Sequence, residues 1–274
     1  MTLFQSILLG IVQGLTEFLP ISSSGHLVIV PYLLGWRTPP EETFVFNVLV
    51  QVATLGGVFA YFWKDITAIV GAFLRGLVRR QPFADPQARL GWYLILATIP
   101  AGLFGLAVRG LIENSFNSPT ATAFFLLCTA ALLVIAEKVG NRTRCMEDLT
   151  WKDSLWFGVF QALSAFSGIS RSGSTITGGM IANFRREDAA RFSFLMSIPI
   201  MLAAGLLETL EFISMPNLGS LLPVFIPGFI AAAITGYLAI RWLLGYLIHH
   251  SLYVFAAYCV VLSLVTLAVN YLKI

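Results

Sequence analysis

Two polar clusters interrupt otherwise apolar stretches of this sequence, and the first carries a carboxylate, several hydroxyls and an imidazole. Gln13 and Glu17 are four residues apart, which places them on one face of a helix. The cluster continues with Ser22, Ser23, Ser24, Gly25 and His26. Serines before an apolar run are typical helix N-caps, and the free amides at a helix start bind anions. A carboxylate and a histidine beside such a start are groups used in acid–base catalysis.

The second cluster contains an arginine between hydroxyl side chains. Arg171 lies between Ser170 and Ser172, and Thr175 follows one helical turn later. Arginine binds phosphate oxygens through two parallel hydrogen bonds. The structural alternative is that the serines only cap helices and that Glu17 only pairs with Arg171, and both roles can coexist. If the clusters meet, a serine nucleophile, a histidine, a carboxylate and an arginine converge, which predicts a phosphate or diphosphate site.

The elements that position these clusters are hydrophobic. Of the 274 residues, 57% are hydrophobic and 11% are charged, whereas roughly a quarter are charged in soluble domains. Six apolar stretches are long enough to cross a bilayer, at 44–63, 90–110, 118–136, 191–212, 221–243 and 251–272. The sequence therefore predicts one all-α integral membrane domain over 1–274. The net charge of +3 gives no support for nucleic-acid binding, and the 3 scattered cysteines suggest neither a zinc site nor disulfides.

Two further apolar regions, 3–35 and 154–183, are broken by the polar clusters. Each half is too short to cross ~30 Å at 1.5 Å per residue, so each region is predicted to be a re-entrant helix pair whose break lines a cavity. Residues 10–26 also match 158–174 at a constant offset. An internal duplication explains this match, with repeat 1 over about 1–110 and repeat 2 over about 150–245.

The distribution of basic residues predicts how the repeats are oriented. The connections 64–89 and 137–152 are rich in Lys and Arg, which is typical of cytoplasmic segments. Counting spans from these connections makes the two broken segments enter from opposite sides, an inverted-topology repeat. The same count places both chain termini outside the cell.

Residues 13–26 and 168–175 together resemble the two signatures of the bacterial undecaprenyl pyrophosphate phosphatases, the bacitracin-resistance family. The resemblance extends over essentially the whole chain in length and hydrophobic layout. It departs from the signatures at two positions, because Ser167 stands where the second signature has proline and Gln13 stands where a glutamate is common. The first departure affects the stiffness of the break, and the second weakens any metal site that needs two carboxylates.

The resemblance implies hydrolysis of undecaprenyl diphosphate at the outer side of the bacterial inner membrane. This reaction recycles the lipid carrier for cell-wall synthesis and confers bacitracin resistance. Ser23 would be the nucleophile, His26 the acid–base residue, and Glu17 and Gln13 would serve a divalent cation, Mg²⁺ or Ca²⁺, or polarise the nucleophile. The phosphate-binding groups would be Arg171, Ser170, Ser172, Thr175, Ser22, Ser24 and Gly25.

Other classes of protein remain open from the sequence. A transporter or flippase for a lipid phosphate would also use inverted repeats and broken helices, but it needs no nucleophile beside an acid–base residue. A membrane scaffold would leave both polar breaks unexplained. The expected partners are a polyprenyl diphosphate and membrane lipids, without nucleic acid, and a homodimer remains open.

Overall fold

The computed structural model describes residues 1–36, 39–108, 110–112, 118–213 and 218–272, and this part of the chain is all-α, as the sequence predicts. Side chains at 40, 41, 44, 207–213 and 218 lie outside the description. The helices are α1 Leu3–Phe18, α2 Ser23–Leu33, α3 Pro40–Tyr61, α4 Trp63–Val78, α5 Pro86–Ala107, α6 Pro119–Lys138, α7 Trp151–Leu163, α8 Arg171–Ile181, α9 Arg186–Ile213, α10 Leu218–His249 and α11 Tyr253–Leu272. A short 3₁₀ helix covers Met146–Asp148.

Within the described ranges, five helices are long and apolar enough to span a membrane: α5, α6, α9, α10 and α11. The sixth predicted span, 44–63, corresponds to α3, which turns by 88° into α4. The count of six spans therefore holds only if this bent pair is one span.

Helix α4 corrects the prediction that 64–89 is only a connection. Charges at Lys64, Asp65 and Arg75 make the stretch look like a loop, but they lie on an amphipathic helix. One face of α4 is buried through Ile69 and Ala72, whereas another leaves apolar side chains exposed. Such a helix, nearly perpendicular to the one before it, is typical of a membrane interface.

The chain breaks beside each polar cluster, at 19–22 between α1 and α2 and at 164–170 between α7 and α8. Helices α2 and α8 each contain 11 residues, about half the length that a bilayer requires. The hydroxyl of Ser22 accepts a hydrogen bond from the Gly25 amide, and that of Ser170 accepts one from the Gly173 amide. Residues at matching positions of the two clusters therefore cap both helices in the same way.

Each broken pair packs against a long helix from the other half of the chain: α1 against α10, and α7 against α5. Matching glycines allow the close approach. A Cβ atom added at Gly10 would lie 2.1 Å from the Gly228 carbonyl oxygen, and one at Gly158 would lie 2.6 Å from the Ala97 carbonyl oxygen. The reciprocal packing brings the breaks together against α6, which contacts both α2 and α8.

The second break depends on glycine at position 168, which gives the first testable prediction. Gly168 has a φ of +103°, and a Cβ atom there would lie 2.3 Å from the Thr122 carbonyl oxygen. We expect Gly168→Ala to lower the free energy of unfolding by about 2 kcal/mol or more, because it adds backbone strain to a clash with α6. Denaturant-induced unfolding in detergent micelles measures the change.

Gly102→Ala is the matched control for that substitution. Gly102 lies within α5, and a Cβ atom there would meet no atom within 4 Å. Alanine in this helix should leave stability unchanged or raise it slightly. Equal stabilities for the two variants would show that the second break does not require glycine.

Candidate active site

The carboxylate of Glu17 joins the two breaks. Glu17 lies in the last turn of α1 and is buried. One carboxylate oxygen accepts hydrogen bonds from Ser23 Oγ at 2.5 Å and from Gln13 Nε2 at 2.6 Å. The other oxygen forms an ion pair with the guanidinium of Arg171. Residues far apart in the sequence thus meet on a single carboxylate.

This arrangement offsets the cost of burying a charge in an apolar surrounding. A buried carboxylate is strongly unfavourable unless a cation and hydrogen-bond donors surround it. Arg171 supplies the cation, while Ser23 and Gln13 supply the donors. Glu17 is therefore surrounded by three partners, and the hydroxyl of Ser23 is aimed at its carboxyl group.

A cavity of about 290 Å³ lies between the breaks. Its lining includes Glu17, Ser22, Ser23, Ser24, Ser170 and Arg171 from the two clusters, together with Gln51, Ile112, Ser164, Ala165, Ile169, Ile200, Met201 and Ala204. Ser23 and Arg171 are the first residues of α2 and α8, so both helices begin at this cavity. The first amides of a helix have no partner within the helix and carry its partial positive charge. The cavity is therefore suited to an anion.

The ring nitrogens of His26 have hydrogen-bond partners other than Ser23. Its Nδ1 atom is 2.7 Å from the Ser22 carbonyl oxygen, and its Nε2 atom is 2.7 Å from the Tyr258 hydroxyl oxygen. The imidazole is buried and stacks on the Tyr258 ring. Ser22, which precedes α2, has a φ of 69°, in the left-handed region. In this geometry Ser23 Oγ donates to Glu17, whereas both ring nitrogens of His26 have other partners.

Two of the predicted phosphate-binding residues, Ser172 and Gly25, lie where the breaks meet, and a third, Thr175, links α8 to α9. Ser172 Oγ donates a hydrogen bond to the Leu19 carbonyl oxygen at 3.1 Å. Thr175 Oγ1 donates to the Arg171 carbonyl oxygen at 2.8 Å and lies 2.6 Å from Ser193 Oγ. A Cβ atom at Gly25 would lie 3.3 Å from the Gly168 Cα atom. Ser172, Thr175 and Gly25 are absent from the cavity lining, unlike Arg171 and Ser170.

Several site residues were not singled out from the sequence. Gln51 lines the cavity and is a polar residue inside a predicted apolar span, which is a signal that could have identified it. Tyr258 carries no such signal, because an aromatic residue in an apolar helix is ordinary. Thr129, which accepts from the Ser170 amide and donates to the Gly168 carbonyl oxygen, is equally inconspicuous.

The donors available for a metal ion are few. Within the described ranges, no three His, Cys, Asp or Glu residues cluster closely enough to hold a metal. Glu17 supplies the carboxylate of the cavity lining, and the buried Oε1 of Gln13 has no hydrogen-bond partner in the structure. Mg²⁺ usually takes only one or two carboxylates from a protein and its other ligands from phosphates and water. The carboxyl group of Glu17 fits a cation of that kind, while Gln13, which does not line the cavity, lies next to it through its hydrogen bond to Glu17.

The fold and the site define a multi-pass, all-α membrane protein in which two broken helix pairs surround a cavity suited to an anion. The family model for the bacitracin resistance protein BacA matches residues 6–265. The chain belongs to this family, and it is an integral membrane hydrolase.

Three similar proteins are each named undecaprenyl-diphosphatase. The protein from Myxococcus xanthus is 42% identical over 97% of this chain and 89% of its own. The one from Thermomicrobium roseum is 43% identical over 98% of both chains. The one from Methanosphaera stadtmanae, more distant at 38% identity, also covers 98% of both. The similarity thus includes both broken helix pairs.

Proposed function

We propose that this protein hydrolyses undecaprenyl diphosphate to undecaprenyl phosphate and inorganic phosphate. The observation that carries the proposal is the meeting of Ser23 and Arg171 on the carboxylate of Glu17, at the edge of a cavity where two helices begin. The name shared by relatives that cover nearly the whole chain supports this substrate. The reaction removes the terminal phosphate of a lipid diphosphate.

In the proposed first step, Ser23 Oγ attacks the terminal phosphorus atom and Glu17 takes the hydroxyl proton over the 2.5 Å hydrogen bond. The phosphorus–oxygen bond to the lipid phosphate breaks, Glu17 passes its proton to the leaving oxygen, and undecaprenyl phosphate leaves. In the second step the Glu17 carboxylate takes a proton from water, whose oxygen attacks the phosphoserine. The bond between phosphorus and Ser23 Oγ then breaks, Glu17 returns the proton to Ser23 Oγ, and inorganic phosphate leaves.

Arg171 and the two helix starts stabilise the charge on the transferred phosphoryl group. Phosphoryl transfer depends mainly on positioning and on charge stabilisation at the equatorial oxygens. A guanidinium has five N–H donors, and Arg171 uses one terminal nitrogen for Glu17. Its remaining donors can face the phosphate, together with those first amides of α2 and α8 that the Ser22 and Ser170 caps leave available.

We further propose that Glu17 and the Gln13 amide oxygen would hold a divalent cation, Mg²⁺ or Ca²⁺. When bound, such a cation neutralises charge on the diphosphate. Because Glu17 already faces Arg171, Ser23 and Gln13, the cation would be held largely by the substrate and water.

Removing the Gln13 side chain tests the cation proposal. We expect Gln13→Ala to raise the Mg²⁺ concentration needed for half-maximal activity about tenfold, because one ligand is lost. Gln161→Ala is the matched control, since Gln161 occupies the equivalent position of the second repeat and donates to the Ala97 carbonyl oxygen instead. An unchanged Mg²⁺ requirement in Gln13→Ala would remove Gln13 from the metal site.

We propose that the cavity between the two breaks opens towards the outer face of the bacterial inner membrane. The basic connections 64–89 and 137–152 support this orientation, because such segments remain in the cytoplasm. Hydrolysis there would recycle the lipid carrier for cell-wall synthesis and confer bacitracin resistance. In intact cells, Arg80→Cys should resist an impermeant thiol reagent and react only after the membrane is permeabilised.

Measuring phosphate release in detergent distinguishes the proposed hydrolysis from transport of the lipid. Purified protein should release inorganic phosphate from undecaprenyl diphosphate without any membrane to cross. A transporter or flippase would show no release in micelles but would move the lipid between leaflets of vesicles. That pair of results would overturn the proposal in favour of transport.

A further inference from the structure

A second and larger cavity, of about 440 Å³, lies where α4, α5, α9 and the 3₁₀ helix meet. Its lining shares no residue with the cavity between the two breaks. Five charged residues face it: Asp65, Arg89, Glu147, Asp188 and Arg191. Nothing in the proposed reaction uses this cavity.

Two of the acidic residues already have cationic partners. Arg191 pairs with Asp65 at 2.6 Å, and Asp188 pairs with Arg185 at 2.7 Å. Arg89 and Glu147 form no ion pair within the described part of the chain. The pKa of Glu147 is lowered, chiefly by the neighbouring Cys145 side chain. The cavity therefore offers one cation and one anion that have no ion-pair partner among the described residues.

An apolar groove of about 240 Å³ lies beside this cavity. Ile69 and Leu195 line both spaces, so the two are adjacent. The groove extends between α4, α5 and α9 to Ile95, Ile198 and Pro199. From Arg191 to Ile198, α9 advances roughly 10 Å at 1.5 Å per residue. The groove thus leads from a charged region into the apolar part of the helix bundle.

We infer that this composite site binds a phospholipid with an ethanolamine headgroup, with its phosphate at Arg89, its ammonium at Glu147 and one acyl chain in the groove. Phosphatidylethanolamine has one anion and one hydrogen-bonding cation, which complement the two unpaired charges. Phosphatidylglycerol has no cation for Glu147. Phosphatidylcholine has a cation that cannot donate hydrogen bonds. A polyprenyl phosphate places only negative charge beside Glu147, Asp65 and Asp188.

Native mass spectrometry of the purified full-length protein tests this inference. The protein is exchanged into micelles containing palmitoyl-oleoyl phosphatidylethanolamine, and retained lipid is compared with the corresponding glycerol and choline lipids. We expect one ethanolamine lipid per chain, retained about tenfold more tightly than either alternative. Arg89→Ala should weaken retention of the ethanolamine lipid about tenfold. Glu147→Gln should remove the preference for it over phosphatidylglycerol.

Two further variants separate this site from general lipid binding. Ile95→Trp places a larger side chain at the exposed edge of the groove and should reduce retention while leaving the headgroup contacts intact. Arg79→Ala removes an exposed cation outside the cavity lining and should leave retention unchanged. Phosphate release in lipid-free micelles should stay at the wild-type level in all four variants, because their residues do not line the cavity at Ser23.

The inference fails if wild-type protein and the Arg89→Ala and Glu147→Gln variants retain phosphatidylethanolamine equally. It also fails if the lipid retained at these residues is a polyprenyl phosphate. Neither result depends on whether the protein hydrolyses undecaprenyl diphosphate.

Discussion

Replacing Ser23 with alanine is expected to lower kcat for phosphate release by about 10⁴-fold or more, because the attacking oxygen is lost. Ser23 Oγ lies at the start of α2, 2.5 Å from the Glu17 carboxylate that receives its proton. Wild-type protein quenched with acid during turnover of a substrate labelled in the terminal phosphate should carry label on Ser23. The variant should carry none.

Ser24→Ala is the control for that result. Ser24 also lines the cavity, but its hydroxyl lies 3.4 Å from Ser22 Oγ and makes no hydrogen bond to Glu17 in the structure. Its removal should cost about tenfold or less. If Ser23→Ala keeps more than a hundredth of wild-type activity, water attacks the phosphate directly and Ser23 is not the nucleophile.

The second large effect is expected at Arg171. Arg171→Ala should lower kcat/KM by about 10³-fold, since removing one well-placed donor to a developing negative charge typically costs about 10²- to 10³-fold. Arg171→Lys should recover only part of the loss, because lysine cannot form two parallel hydrogen bonds to phosphate. Steady-state phosphate release over a range of substrate concentrations measures both.

Arg171→Ala also leaves Glu17 buried without its cation, so its effect on stability must be separated from its effect on catalysis. We expect a loss of roughly 3 kcal/mol in the free energy of unfolding. Adding Glu17→Gln should restore much of that stability but none of the activity. Arg185→Ala, which removes an exposed arginine paired with Asp188, is the control and should leave activity unchanged. Restored activity in the doubly substituted protein would reduce Arg171 to a structural partner of Glu17.

The sequence predicted the local structure of the breaks well because local chemistry determines it. Ser22 and Ser170 cap the following helices through the amides three residues later, as serines before apolar runs are expected to do. The membrane class followed from the low fraction of charged residues and the long apolar stretches. None of these inferences required knowledge of which helices are neighbours in space.

Features that depend on distant neighbours could not be predicted in this way. Whether His26 faces Ser23 or Tyr258 depends on the packing of α11, more than 200 positions later in the chain. The sharp bend between α3 and α4 was hidden because charges on an amphipathic helix resemble those of a loop. The inverted relation of the two repeats remains a prediction, supported by their matching caps and glycines.

The coupling between Glu17 and Arg171 tests most directly the claim that the two breaks act on one phosphoryl group. It is measured as kcat/KM for phosphate release in wild-type protein, Glu17→Gln, Arg171→Ala and the double variant. Our account predicts that the fold loss of kcat/KM in the double variant is at least about tenfold smaller than the product of the two single fold losses. The reason is that both side chains serve the same step. Losses that multiply would show that the two residues act independently and would contradict a shared site.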